Sequence, residues 1–295
     1  MEKISSWIEA MRLRTLPVSI AGVLMGWGCA ATSGKFLWWP AIACMLIALF
    51  AQIASNFGNE YFDFRNGLDK KGREGFRRGV TEGDISPKAM HTATFLTLGA
   101  SCAVGLGLVL SVGCYWLFIP GAAIALFALG YSEGPYPLSH HGLGDVAVII
   151  FFGWVPVSLT CFVVSGSFGD GWVTWGSAAA VGILASNVLI VNNYRDVEDD
   201  RQVGKHTTVV LFGRKTMSLV YLLGGIIAMG LTWKIWVGRL YYGAPAIPIF
   251  YLLIHYRLWN QLKRSEGASL NPLLGKTAVN LLLFSILTTI LLVVS

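Results

Sequence analysis

The sequence predicts an all-α, polytopic membrane protein with about nine transmembrane helices arranged around a central cavity as two similar halves. Three observations carry this reading. Of 295 residues, 55% are hydrophobic and only 13% charged, with mean hydropathy +0.61, whereas soluble domains carry roughly 25% charged residues. Nine stretches approach the ~20 apolar residues that a spanning helix needs. A short acidic pattern occurs twice, each time where an even-numbered stretch meets polar sequence. No run of ten-residue segments alternates apolar and polar, which argues against an outer-membrane barrel.

The elements follow in order. Residues 1–11 are charged and amphipathic, with no convincing cleavage site after them, so the first apolar stretch, 15–31, is expected to stay in the membrane. The second, 41–58, leads into a polar loop, 59–89, far longer than usual helix connections and read as a cap. Stretches 90–112 and 115–131 precede a Gly- and Pro-punctuated loop without Lys or Arg, 132–145, and then 146–164. The sixth, 172–191, ends in the second acidic pattern and another expected cap loop, 192–216. Stretches 217–237, 244–259 (the shortest) and 273–294 complete a single membrane domain, 1–295. Cys29, Cys44, Cys102, Cys114 and Cys161 lie in or beside apolar stretches without metal-ligand spacing and read as packing residues.

Charge sets the orientation. With nine helices, the amino terminus and the loops after helices 2, 4, 6 and 8 share one side. That side holds all 22 Lys and Arg residues except Lys35, Lys234 and Arg239. Positive charge marks the cytoplasmic face, so both acidic patterns are expected in the cytoplasmic half of a cell inner membrane.

Those patterns are the informative part of the chain. Asn59-Glu60-Tyr61-Phe62-Asp63, followed by Asp69, shares the Asn-x-Tyr-x-Asp frame of Asn192-Asn193-Tyr194-Arg195-Asp196, which continues to Asp200. Carboxylates at membrane depth are costly and mark function by default. On a helix, residues four apart share a face, so Asn59 stacks with Asp63, and Asn192 with Asp196 and Asp200. Two such edges, one from each half, suit magnesium ions that bind through one or two carboxylates plus a ligand's phosphates. Arg78, Arg195, Arg201 and Lys205 lie near enough in sequence to neutralise the remaining charge. Ionisation of an allylic diphosphate needs this arrangement, because cations stabilise the departing diphosphate. An aromatic, water-free cavity can then shelter the carbocation.

The residues resemble a known family. Asn59-x3-Asp63-x5-Asp69 and Asn192-Asn193-x-Arg195-Asp196-x3-Asp200-x3-Gly204-Lys205-x-Thr207 are similar to the two aspartate-rich motifs of UbiA-type membrane-embedded aromatic prenyltransferases. Arg12-x-Arg14-Thr15-Leu16-Pro17, Arg78-Gly79, Tyr131-Ser132-x-Gly134-Pro135-x-Pro137-Leu138, Gly142-Leu143-Gly144-Asp145 and Phe152-Gly153 extend the likeness. Glu60 stands where the family often has Asp. The resemblance implies catalytic metal ligands at Asp63, Asp69, Asp196 and Asp200, binding magnesium. It implies diphosphate contacts at Asn59, Arg78, Asn192, Arg195, Arg201 and Lys205, and aromatic-substrate residues at Tyr136 and Asp145. The cation-free loop after Tyr131 resembles the branch that uses 1,4-dihydroxy-2-naphthoate rather than 4-hydroxybenzoate. The implied reaction moves a polyprenyl chain from its diphosphate to the ring carbon that bears the acceptor's carboxylate. Carbon dioxide and diphosphate leave, giving demethylmenaquinone in its quinol form. The partners are these two substrates and the bilayer, with no nucleic acid.

Plainer readings stand beside these. Asn59, Asn192 and Asn193 are also common at helix ends and turns, and Asp145 could cap the fifth helix. Helical spacing points Glu198 and Asp199 away from the Asp196 face. Arg12 and Arg14 fit either a site or positive-inside topology, and His140 and His141 fit a surface loop. A transporter would also carry intramembrane acids and repeats, though near the midplane rather than at helix ends. A prenyltransferase for 4-hydroxybenzoate, homogentisate or a glycerol-phosphate lipid is the other enzymatic alternative.

Overall fold

The computed structural model describes residues 4–69, 71, 75–131, 133–134, 137–238 and 244–294. The regular elements among the described residues are all helical, without strands. A surface helix α1 (Ile4–Ala10) precedes α2 (Leu16–Ala31), α3 (Trp38–Arg65), the single turn α4 (Gly79–Glu82), α5 (Pro87–Val112) and α6 (Phe118–Gly130). The second half runs through α7 (Gly144–Val148), a π turn (Ile149–Trp154), α8 (Val155–Ser165) and α9 (Gly171–Gln202). It ends with α10 (Thr208–Leu231), α11 (Trp233–Val237), α12 (Ala246–Arg264) and α13 (Asn271–Val294).

Among the described residues, six helical units are long and apolar enough to cross a membrane: α3, α5, α7 to α8, α9, α10 and the unit ending in α13. Helix α2 and the stretch 115–130 are apolar but shorter, and α12 occupies the expected eighth position. Leu96, Leu126, Ile249 and Val293 are more than half exposed on outer faces, where lipid is as favourable a surrounding as a neighbouring helix.

Helix α9 packs against α2, α8, α10 and α13, while α3 packs on α5 and α6. Small residues bring the central backbones together: a Cβ on Gly153 would lie 2.4 Å from Gly182 Cα, the close approach typical of small-residue crossings. The π turn has a local cause. Pro156 lacks an N–H and its ring crowds the carbonyl one turn earlier, so the ladder widens over Ile149–Trp154.

Both acidic motifs are helical, because α3 continues to Arg65 and α9 to Gln202. The expected loop 192–216 is therefore largely helix, interrupted first at 203–207. No glycine or proline follows Asn192 before Gly204, whose φ of 72° helps end α9. In α10 a second break at Gly213 (φ 80°, ψ 158°) separates one short turn, beside the site, from the long apolar run.

Candidate active site

The last turns of α3 and α9 face one cavity of about 340 Å³. On the α3 side, Asp63 is 3% exposed. Its oxygens meet Arg78 Nη2 at 3.6 Å and Lys205 Nζ at 3.5 Å. Asp69 lies against Arg78 Nε at 3.4 Å, and Arg78 Nη2 donates to Asn59 Oδ1 at 3.1 Å. Arg78 is thus buried among two acids and an amide, yet its Nη1 has no hydrogen-bond partner among the described residues. A buried guanidinium N–H left unpaired is costly and is suited to an anionic ligand.

On the α9 side, Arg195 grips its neighbour Asp196 through Nε (2.6 Å) and Nη2 (2.7 Å), and also donates to Asn192 Oδ1 and Asn271 Oδ1. Asn192, Asn193, Arg195, Asp196 and Asp200 all line the cavity. Phe76, from the cap, lies between Arg14 (4.7 Å) and Arg195 (5.1 Å), so cation–π contacts tie the cap both to the segment before α2 and to α9. Glu60, 1% exposed, accepts from Val80 N at 3.0 Å and so holds α4 in place.

Asp145 accepts hydrogen bonds from Ser186 Oγ (2.8 Å) and Thr208 Oγ1 (2.6 Å) and lines the same cavity. The loops at this wall are strapped together by His206 N donating to His140 O at 2.9 Å. Burial, then the nearby Lys205 cation, pushes the His140 imidazole below its usual range.

Below lies an apolar cavity of about 620 Å³ between α2, α3, α5, α6 and α8. Its wall includes the stacked rings of Phe127 and Phe151, 4.1 Å apart, and Phe152. The two cavities share Arg12, Thr15, Asn59, Tyr131, Asn192 and Leu274.

Most sequence-predicted residues therefore meet at one place, but two of the described ones, Asp69 and Arg201, do not line it. Asp69 stands behind Arg78. Arg201 is turned outward, more than half exposed and paired with Glu198 at 2.9 Å. Six helical positions from Arg195 amount to 600°, which carries its side chain off the cavity face. Glu198, also exposed, points away as the spacing predicts. Tyr136 lies outside the described residues.

The donor set fits magnesium. Among the described residues no three His, Cys, Asp or Glu side chains converge into an all-protein cage. An ion that keeps its waters and bridges to phosphates needs only one or two carboxylates, and Asp63, Asp196 and Asp200 supply them from two edges.

Sequence reasoning missed Phe76, Ser186 and Thr208, which only tertiary packing brings in. It also missed Gln52 and Asn56, which carried a signal: with Asn59 they form a polar stripe at helical spacing in an apolar helix.

Comparison with known proteins agrees with this geometry. Residues 19–293 match the model of the UbiA prenyltransferase family. A 1,4-dihydroxy-2-naphthoate octaprenyltransferase of Escherichia coli (strain K12) is 32% identical over 78% of this chain and 77% of its own length. One of the same name from Mycobacterium leprae is 35% identical, over 72% and 71%. The structure of a UbiA homologue from Archaeoglobus fulgidus bound to DMAPP and Mg2+ superimposes with a TM-score of 0.64 at 17% identity, covering 96% of this chain and 99% of that one. A family match spanning nearly the whole chain, with two aspartate edges facing one cavity above an apolar chamber, shows that this protein is a member of the UbiA prenyltransferase family.

Proposed function

We propose that this enzyme transfers a polyprenyl chain from its diphosphate to 1,4-dihydroxy-2-naphthoate, with loss of carbon dioxide, at the cytoplasmic face of a cell membrane. The supporting observation is the junction of the two cavities. A polar chamber with cations and carboxylates suits the diphosphate; an apolar chamber suits the isoprenoid tail; the C–O bond to be broken then lies between them. The relatives' shared name supports the acceptor.

Bound magnesium, held by Asp63, Asp196 and Asp200 with Asp69 steadying Arg78, would neutralise charge on the departing diphosphate. Arg78, through its unpaired Nη1, and Lys205 bind the phosphate oxygens as the C1–O bond breaks and diphosphate leaves with the electron pair. Arg195, steadied by Asn192 and Asn271, presents the opposite side. Phe127 and Phe151 keep water from the allylic cation. The electron-rich ring carbon bearing the carboxylate forms the new C–C bond. The carboxylate then departs as carbon dioxide, returning its electron pair to the ring, so no protein base is required. Asp145 and its two hydroxyl donors face the acceptor side of the chamber.

Membranes containing the protein, given a polyprenyl diphosphate and magnesium, are expected to prenylate dihydroxynaphthoate in preference to 4-hydroxybenzoate or homogentisate. A chelator is expected to stop the reaction. Product from hydroxybenzoate alone refutes the acceptor, and chelator-resistant turnover refutes the metal.

A further inference from the structure

We infer that Arg12 is the cation that recognises the carboxylate of the aromatic acceptor; the inference rests on the proposed naphthoate reaction. The described residues of the loop after α6 carry no Lys or Arg, so the acceptor's charge must be met from elsewhere. Its place is constrained by chemistry. The carboxylate sits on the carbon that is attacked, one bond from the point where C1 of the prenyl chain arrives. The cation that meets it must therefore stand where the diphosphate chamber joins the apolar one. Among the described residues, Arg12 is the one charged side chain that lines both cavities.

The backbone at Arg12 is built for this position. Its φ of 53° is left-handed, unique among the described non-glycine residues, and such strain persists only where the surroundings over-determine it. Here α3 does so with three side chains on one face. Gln52 Nε2 donates to Thr15 O at 3.0 Å, Asn56 Nδ2 donates to Met11 O at 3.0 Å, and Asn59 Oδ1 accepts from Arg12 Nη2 at 3.1 Å. Thr15 Oγ1 closes the turn onto Arg12 O at 3.0 Å. The same Asn59 oxygen accepts from Arg78. One amide thus holds two guanidinium groups side by side, Arg78 on the acids and Arg12 at the junction. The diphosphate is then met at Arg78 and the acceptor carboxylate at Arg12. A planar fork matches a carboxylate in a way an ammonium does not.

Arg12→Gln tests this with two acceptors, dihydroxynaphthoate and 1,4-dihydroxynaphthalene, which lacks only the carboxylate, in membranes at saturating polyprenyl diphosphate. Losing a charge-assisted contact should lower kcat/KM for the carboxylated acceptor by about 10- to 100-fold. The wild type's preference for it should shrink by the same factor, what remains reflecting the easier loss of carbon dioxide than of a ring proton, with the KM for polyprenyl diphosphate unchanged. Arg12→Lys, which keeps the charge without the fork, should fall between. Equal losses on both acceptors, or a raised KM for the diphosphate substrate, overturn the assignment to the carboxylate. If Arg12→Gln does not accumulate in membranes, Arg12→Lys is read alone, and an unchanged acceptor preference overturns it. A wild type inactive on both naphthalene acceptors but active on another aromatic refutes the proposed function itself.

Discussion

Asp63 and Asp196 lie on matching edges but are held differently, and the difference predicts different phenotypes. Asp196 is forked by Arg195 on the same helix at 2.6 and 2.7 Å, both groups buried. Asp63 is approached at about 3.5 Å by cations from the cap and from the segment before α10. Replacing either with Ala should lower turnover by at least about 100-fold, because each removes negative charge facing the diphosphate chamber. Asp196→Ala should also cost about 3–5 kcal/mol of stability, since it strands a buried guanidinium. Asp63→Ala leaves Arg78 with Asp69 and Asn59 and should cost less. Thermal melting of the detergent-solubilised variants separates these effects; equal melting losses contradict the account. His140 predicts a pH effect. Its lowered pKa means that folding favours the neutral ring, so its contribution is complete above the ordinary value of about 6.5. That contribution declines as pH falls toward the lowered value. His140→Gln should flatten acid-induced loss of melting temperature below pH 6.5 and leave it unchanged at pH 8. The acids were legible in the sequence because ionisable groups at membrane depth are expensive. Arg201 misled because nearness in sequence is not nearness on a helix. Asp145 was ambiguous because its partners, Ser186 and Thr208, lie 41 and 63 positions away.

At the scale of elements, the site depends on how closely α9 approaches the π turn. A Cβ on Gly182 would come within 2.6 Å of Ile149 O and 3.0 Å of Ile149 Cα, both backbone atoms that cannot turn aside. Gly182→Ala should therefore force α9 outward and cost about 1–3 kcal/mol. Because Asn192 and Asp196 ride on the same helix, activity should fall with it. Gly99→Ala in α5, where an added Cβ meets nothing within 4 Å, should be neutral or stabilise by about 0.5–1 kcal/mol. Melting temperatures of the pair measure this, and a Gly182→Ala protein as stable as the parent removes the argument. Hydropathy made the apolar stretches legible. It did not mark the helix ends, because α3 and α9 carry their polar motifs onward as helix until glycines at 67 and 204. The π turn needed tertiary geometry, although Pro156 marked its location.

At the scale of the whole molecule, the apolar chamber opens toward the outer surface, since its wall includes Leu106 and Phe118, each nearly half exposed between α5 and α6. A short isoprenoid can lie wholly inside, whereas a long one must leave through that gap into the bilayer. Gly121 lines the chamber on α6, with nothing within 4 Å of an added Cβ. Gly121→Trp would fill the exit without touching the acids, and an outward-facing Trp is well tolerated beside lipid. The variant should keep its rate with geranyl diphosphate within about threefold and lose about tenfold or more with a long polyprenyl diphosphate. The ratio of the two rates, measured at one acceptor concentration, is the readout, because a general folding defect lowers both alike. A parallel loss places the tail elsewhere. A loss confined to the long substrate shows that chain length is sensed where the tail leaves for the membrane, away from the aspartates that line the polar cavity.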